Sequence, residues 1–184
     1  MKRRSFLKAS AALLPAAGLK EFALAQVAAA PTSSALHVVE SGKDRFGEAH
    51  SRGFSNILFK VAAHETGGGL FIIEHTNLVR GGPPLHLHPH QEEWFYVMEG
   101  EVLFQVGGER KKLSKGESVL APRNVPHAFT LVSEQPGRLL IAFTPAGKME
   151  EFFRATAVPN PPHEDAELFR RYEMELIGPS PFAA

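Results

Sequence analysis

From Ala35 to about Thr144 the chain is cut into short β-rich runs by Gly, Pro and charged turns. The runs are LHVVE, FSNILFKVA, LFIIEHTNLV, LHLH, EWFYVMEG, EVLFQVG, RKKL, ESVLAP, HAFTLV and RLLIAFT. About ten strands at this spacing, with no helical period between them, predict an antiparallel sandwich or barrel. GGER reads as the turn of a hairpin. TPAG ends the β region, and KMEEFFRATA and HEDAELFRRYEMEL read as helices. In the second, Leu168, Tyr172 and Leu176 repeat at i, i+4 and i+8 beside Phe169. Acids at its start and arginines in its middle agree with the helix dipole. A chain of 184 residues suits one domain, so the expectation is an all-β barrel over 36–145 and a C-terminal helical appendage over 146–184, packed on it without a site of its own.

The first residues read differently. KRRSFLK places paired arginines ahead of Phe6 and Leu7, a mildly apolar stretch follows, and ALA precedes Gln26. A charged start, an apolar middle and a small-residue end read as a secretory signal. The Arg pair followed by Phe-Leu-Lys resembles twin-arginine export signals, which implies the twin-arginine export machinery as a partner and a periplasmic or secreted location. The expected signal is 1–25, cleaved after Ala25, followed by a small-residue linker at 26–35. Removing it takes five basic residues and one acid from totals of 20 and 20, leaving 15 against 19, a net charge of −4. A mildly acidic body carries no electrostatic footprint for nucleic acid. No apolar run approaches the roughly 18 uncharged residues of a membrane span. With no cysteine, any metal must be held by His, Asp and Glu.

Those residue types gather in one stretch, PPLHLHPHQEEWFYVMEG. Alternate side chains of a strand share a face, so His86 and His88 point the same way. PHQE supplies a turn, Pro89 stops the ladder, and Glu93 opens a new strand whose face Phe95 and Val97 share. Glu92 competes with Glu93, but with Glu92 inside, Trp94 and Tyr96 would have to fill the barrel. Downstream, His127 shares a face with Val125, Phe129 and Leu131. Imidazoles and a carboxylate converging inside a barrel are costly to desolvate alone, and a divalent cation is their natural partner. Phe95, Val97, Val125, Phe129 and Phe104 are expected to form an apolar substrate pocket suited to a flat ligand. His90 is read as a solvated turn residue, His75 has no determined direction, and His37, His50, His64 and His163 are read as surface.

His-x-His, four residues, Glu, six residues and Gly, met by His86, His88, Glu93 and Gly100, resembles the first cupin motif. Gly116, Pro122 and His127 match the second; Asn124 stands where a Gly is usual, and Leu131 where an Asn is usual. The resemblance covers about 36–145 and implies a double-stranded β-helix, or jelly-roll cupin barrel. GGPPLHLHPHQEEWFYVMEGE, APRNVPHAF and YEMELIGPSP look like quercetinase-like single-domain cupins, which resemble flavonol dioxygenases. That resemblance implies one divalent transition metal ion held by His86, His88, Glu93 and His127, with Glu93 as catalytic base. It also implies a flavonol-like or other enolisable small-molecule substrate, O2 as co-substrate, and a homodimer joined through sheet edges. Mn, Fe, Co, Ni, Cu and Zn all suit such a ligand set. Two other classes share the site: a cupin isomerase, lyase or decarboxylase, and a non-catalytic metal or small-ligand binding barrel.

Overall fold

The computed structural model describes residues 36–48, 50–157 and 164–182. The signal and linker expected at 1–35, and His163, lie outside the described residues. The strands are β1 (His50–Ser51), β2 (Asn56–Val61), β3 (Phe71–Leu78), β4 (Leu85–Leu87), β5 (Glu92–Glu99), β6 (Glu101–Val106), β7 (Glu109–Ser114), β8 (Ser118–Ala121), β9 (His127–Leu131), β10 (Gly137–Thr144) and β11 (Glu175–Gly178). A 3-10 turn (Ala63–Thr66) follows β2, and helices α1 (Met149–Ala155) and α2 (Ala166–Arg171) lie between β10 and β11. Among the described residues no helix is long and apolar enough to cross a membrane.

Two antiparallel sheets face each other, ordered β1-β2-β3-β10-β5-β8 and β11-β4-β9-β6-β7. This is the predicted jelly-roll barrel. Its cause is the period-2 pattern: along β5, Glu93, Phe95 and Val97 are buried while Glu92, Trp94 and Tyr96 face outward. β10, which pairs with both β3 and β5, sets Ile141 opposite Phe95 and Phe143 opposite Glu93. Phe59, Phe71, Phe143 and Phe153 pack in succession within the core, with ring centroids 5.1, 6.0 and 5.9 Å apart. Gly100 turns β5 into β6 at φ 83°, and an added Cβ there would meet Ser133 Oγ at 2.8 Å. Asn124 adopts φ 61°, the left-handed conformation that Asn tolerates in place of Gly.

Three expectations are corrected. LHVVE forms no strand: no neighbouring strand pairs with it, and Leu36 and Val38 stay 90% and 69% exposed. His50 is not a surface residue, because β1 lays its ring on Phe59 at 4.4 Å. The second helix stops at Arg171, where Glu173 turns left-handed at φ 63° and Met174 N–H returns to the Phe169 carbonyl. Leu176 then belongs to β11, paired opposite His86 of β4. The open edge of β4 offers backbone hydrogen bonds that outweigh the helical period of this short stretch.

Candidate metal centre

β4 carries His86 inward and His88 follows it directly, β5 carries Glu93, and β9 carries His127, which stands directly opposite His86 in the β4–β9 ladder. All four are buried, and their ligand atoms lie within 4.8 Å of one another. Ring centroids are 4.7 Å apart for His86 and His127, and 5.2 Å for His86 and His88.

The imidazoles are anchored alike. Nδ1 of His86 donates to the Pro84 carbonyl at 2.9 Å, and Nδ1 of His127 to the Val125 carbonyl at 2.9 Å. Nδ1 of His88 donates to Gln91 Oε1 at 3.2 Å. Each acceptor can only accept, so each Nδ1 keeps its proton and each Nε2 is left for the common point. Nε2 of His127 lies 2.7 Å from Glu93 Oε2, and Nε2 of His88 lies 3.2 Å from the same oxygen. The second contact is close but not aligned, and His88 Nε2 is left buried without a hydrogen bond. An orphaned imidazole nitrogen beside a buried carboxylate fits a divalent ion, whose ~2.1 Å bonds set neighbouring donors roughly 3 Å apart. Three nitrogens and one carboxylate, with no sulfur, could bind any of the six transition ions considered.

The electrostatics agree with a built cluster. Burial alone would raise the Glu93 carboxyl, but the hydrogen bond from His127 and the close His127 and His88 rings outweigh it and hold it well below the ordinary range. Burial opposes protonation of His127, yet the Glu93 contact raises it above the ordinary histidine value. His86 is pushed down to about 3 by burial, with His127 and His88 adding in the same sense. Glu92 is directed outward, paired to Arg123 at 2.6 Å, and His90 is exposed.

The cavity beside the cluster differs from the expected pocket. Only Phe129 of the five expected residues lines it, together with His86, Glu93, Ile141 and Phe143; Phe95, Val97, Phe104 and Val125 do not. Phe95 and Val97 point inward as predicted but do not line the cavity; Phe95 packs on Phe104 at 5.1 Å, on Phe129 at 5.8 Å and on the His127 ring at 6.0 Å. Val125 is half-buried outside the lining, its carbonyl used by His127. The missing walls come from the C-terminal segment, expected to be an appendage without a site. Met149, Phe152, Phe153, Phe169 and Met174 roof the cavity, Phe169 lying 5.6 Å from the His86 ring. Arg52 and His75 complete it.

Gln91 went unread in the sequence, where it looks like a turn residue. Its amide nitrogen donates to the carbonyls of Pro145 at 3.1 Å and Ala146 at 2.7 Å, so its oxygen is aimed at His88. A side chain at Gly147 would reach within 2.4 Å of that amide, and φ there is 50°. Gln91→Ala is expected to lower metal affinity roughly 10- to 100-fold by freeing the His88 ring. Competition titration against a chromogenic chelator measures this.

A double-stranded β-helix with a buried three-His, one-Glu cluster is therefore the class of protein that fold and site define. Residues 78–143 match the family model described as Cupin domain, a stretch that holds all four converging side chains. The chain is 27% identical over 134 residues to the quercetin 2,3-dioxygenase of Bacillus subtilis (strain 168), a match covering 67% of this chain and 38% of that protein. It is 27% identical over 78 residues to the tetracenomycin polyketide synthase protein TcmJ of Streptomyces glaucescens, covering 41% of this chain and 52% of that one. The chain spans about half, or less, of the length of the curated relatives it matches. Among solved structures, an RmlC-like cupin from Shewanella frigidimarina NCIMB 400 aligns with a TM-score of 0.52 at 22% identity, covering 63% of this chain and 96% of that chain. This likeness shows the fold.

Proposed function

We propose that His86, His88, Glu93 and His127 hold one divalent transition metal ion, and that the protein is a dioxygenase-like oxidoreductase acting on a small enolisable molecule. The observation that carries the reading is the uniform Nδ1 anchoring, which turns three Nε2 atoms and one carboxylate toward a single point. When bound, the ion supplies Lewis acidity, lowering the pKa of a coordinated hydroxyl and stabilising an enolate. Glu93 is the proton acceptor: its carboxylate is held ionised while buried, within reach of anything seated at the cluster. Phe129, Phe143 and the α1–α2 roof exclude water from the reacting atoms. The similarity to a quercetin 2,3-dioxygenase supports oxidation by O2. A cavity of about 40 Å³ favours a compact enolisable molecule over a three-ringed flavonol.

Elemental analysis of purified protein, followed by O2 uptake with a panel of enolisable hydroxyketones and ketoacids, tests this. The expected result is one transition ion per chain and substrate-dependent O2 consumption. Absence of a stoichiometric ion overturns the metal reading. Turnover without O2 moves the activity to an isomerase, lyase or decarboxylase, and an ion without turnover leaves a binding barrel.

The same proposal places the mature protein in the periplasm or outside the cell, on the strength of KRRSFLK. Arg3→Lys combined with Arg4→Lys is expected to leave unprocessed protein in the cytoplasmic fraction. Undiminished export of that variant would remove the twin-arginine reading.

A further inference from the structure

Arg52 follows β1 and reaches into the cavity that also borders His86 and Glu93. It is only 5% exposed, and its Nη1 is buried without a partner. Among the described residues no carboxylate pairs with its guanidinium. Its contacts are the Phe152 ring, 5.1 Å from Cζ to centroid, and a backbone hydrogen bond from its own N–H to Ser55 O at 2.9 Å. Glu93 is the one acid lining the cavity, and its Oε2 is directed at His127 and His88. A buried cation without an anion is strongly destabilising, so its retention beside a cavity marks a binding group.

The rest of the lining limits what that anion can be. Phe129, Ile141, Phe143 and Met149 offer no donors. His75 is neutral, with Nδ1 at 2.6 Å from Ser55 Oγ, and contributes polarity without charge. One guanidinium compensates one negative charge, and its planar fork matches a carboxylate in two parallel hydrogen bonds. A phosphate dianion would be left short of both charge and donors. About 40 Å³ holds roughly three waters, which restricts the ligand to a few heavy atoms.

We propose that this cavity binds a small organic carboxylate, its carboxylate on Arg52 and an adjacent oxygen directed at the His86–Glu93 side. This rests on the reading of the cluster as an active site and narrows the enolisable substrate to a short oxo- or hydroxycarboxylate. His75 and Arg52 are the positioning pair, opposite the metal ligands.

The test uses pyruvate as the probe, with methyl pyruvate as its uncharged counterpart and inorganic phosphate as the competing anion. Binding is measured by calorimetry and by thermal shift on metal-loaded and on chelator-treated protein. Pyruvate is expected to bind wild type at least tenfold more tightly than Arg52→Met and several-fold more tightly than Arg52→Lys, which keeps the charge but loses the fork. Methyl pyruvate is expected to give no shift. Without any anion, Arg52→Met is expected to melt at a higher temperature than wild type, because it removes an uncompensated buried charge; this outcome also certifies that the variant folds. Pyruvate affinity unchanged by Arg52→Met, or phosphate bound as tightly as pyruvate, would overturn the proposal. Dependence on Arg52 that persists in chelator-treated protein upholds it independently of the metal, whereas a missing metal with intact pyruvate binding sinks only the metal reading.

Discussion

Glu93→Gln is expected to abolish the proposed metal binding while Glu92→Gln leaves it intact. The two glutamates are neighbours in sequence, yet their environments are opposite: Glu93 is 4% exposed against His127 and His88, and Glu92 faces out to Arg123. The amide has the shape of the carboxylate but neither its charge nor its basicity. Affinity should fall by more than about 100-fold, beyond the 10- to 100-fold that changes outside the ligand set produce. Glu92→Gln loses one surface ion pair, worth between zero and about 1 kcal/mol. Metal per chain by elemental analysis, with circular dichroism to certify folding, reads the result. Loss of metal in the Glu92 variant alone would reverse the assignment of the inward face.

Acid is expected to destabilise the chelator-treated protein well above the pH at which carboxylates protonate. His75 is fully buried, and burial, aided by the Arg52 charge, pushes its pKa down to about 3. In the unfolded chain it titrates at its ordinary value of 6.5. Between these two values the unfolded state binds the extra proton, so stability is fully present above pH 6.5 and falls as pH drops toward 3. The slope is up to about 1.4 kcal/mol per pH unit for one such group, so moving from pH 6.5 to 4.5 costs up to about 3 kcal/mol. His86, also pushed down to about 3, acts in the same direction when no metal holds it. Glu93, lowered in the fold, adds its own loss only as pH falls below its ordinary 4.5. His127 opposes them, since its raised value stabilises the fold below pH 6.5. Urea midpoints between pH 7.5 and 4.5, for wild type and His75→Gln, measure the balance. The variant should show a visibly flatter profile, and identical profiles would show that His75 carries no part of the loss.

Much of the site was legible because it depends on strand parity, a property of residues two apart. His86 with His88, and Glu93 with Phe95 and Val97, needed only the alternation of a pleated strand and a turn between them. His127 was legible as a further inward residue, and its placement opposite His86 follows once β4 and β9 pair as antiparallel neighbours in one sheet. The same local logic misjudged the pocket. Parity correctly turned Phe95 and Val97 inward, but it cannot say which inward side chains border a cavity, and theirs pack in the core without lining it.

The C-terminal segment was misread for a related reason. Leu168, Tyr172 and Leu176 repeat as a helix would, but Leu176 gains more from pairing beside His86 on the open edge of β4 than from one more helical turn. Phe152 and Phe169 look, in sequence, like the apolar face of any helix packed on a barrel. Only their place in the cavity wall, with Phe169 beside the His86 ring and Phe152 packed on Phe169, makes them a roof.

The sequence by itself determined the antiparallel barrel, the inward faces that carry His86, His88, Glu93 and His127, and hence the four converging side chains, because alternation and turn chemistry act over a few residues. Tertiary structure alone decided what surrounds them. Arg52, His75 and the α1–α2 roof reach the cavity from segments far apart in the chain, Gln91 orients the His88 ring, and their roles arise from burial and hydrogen bonding. Those are properties of packed neighbours, and no local pattern in the chain carries them.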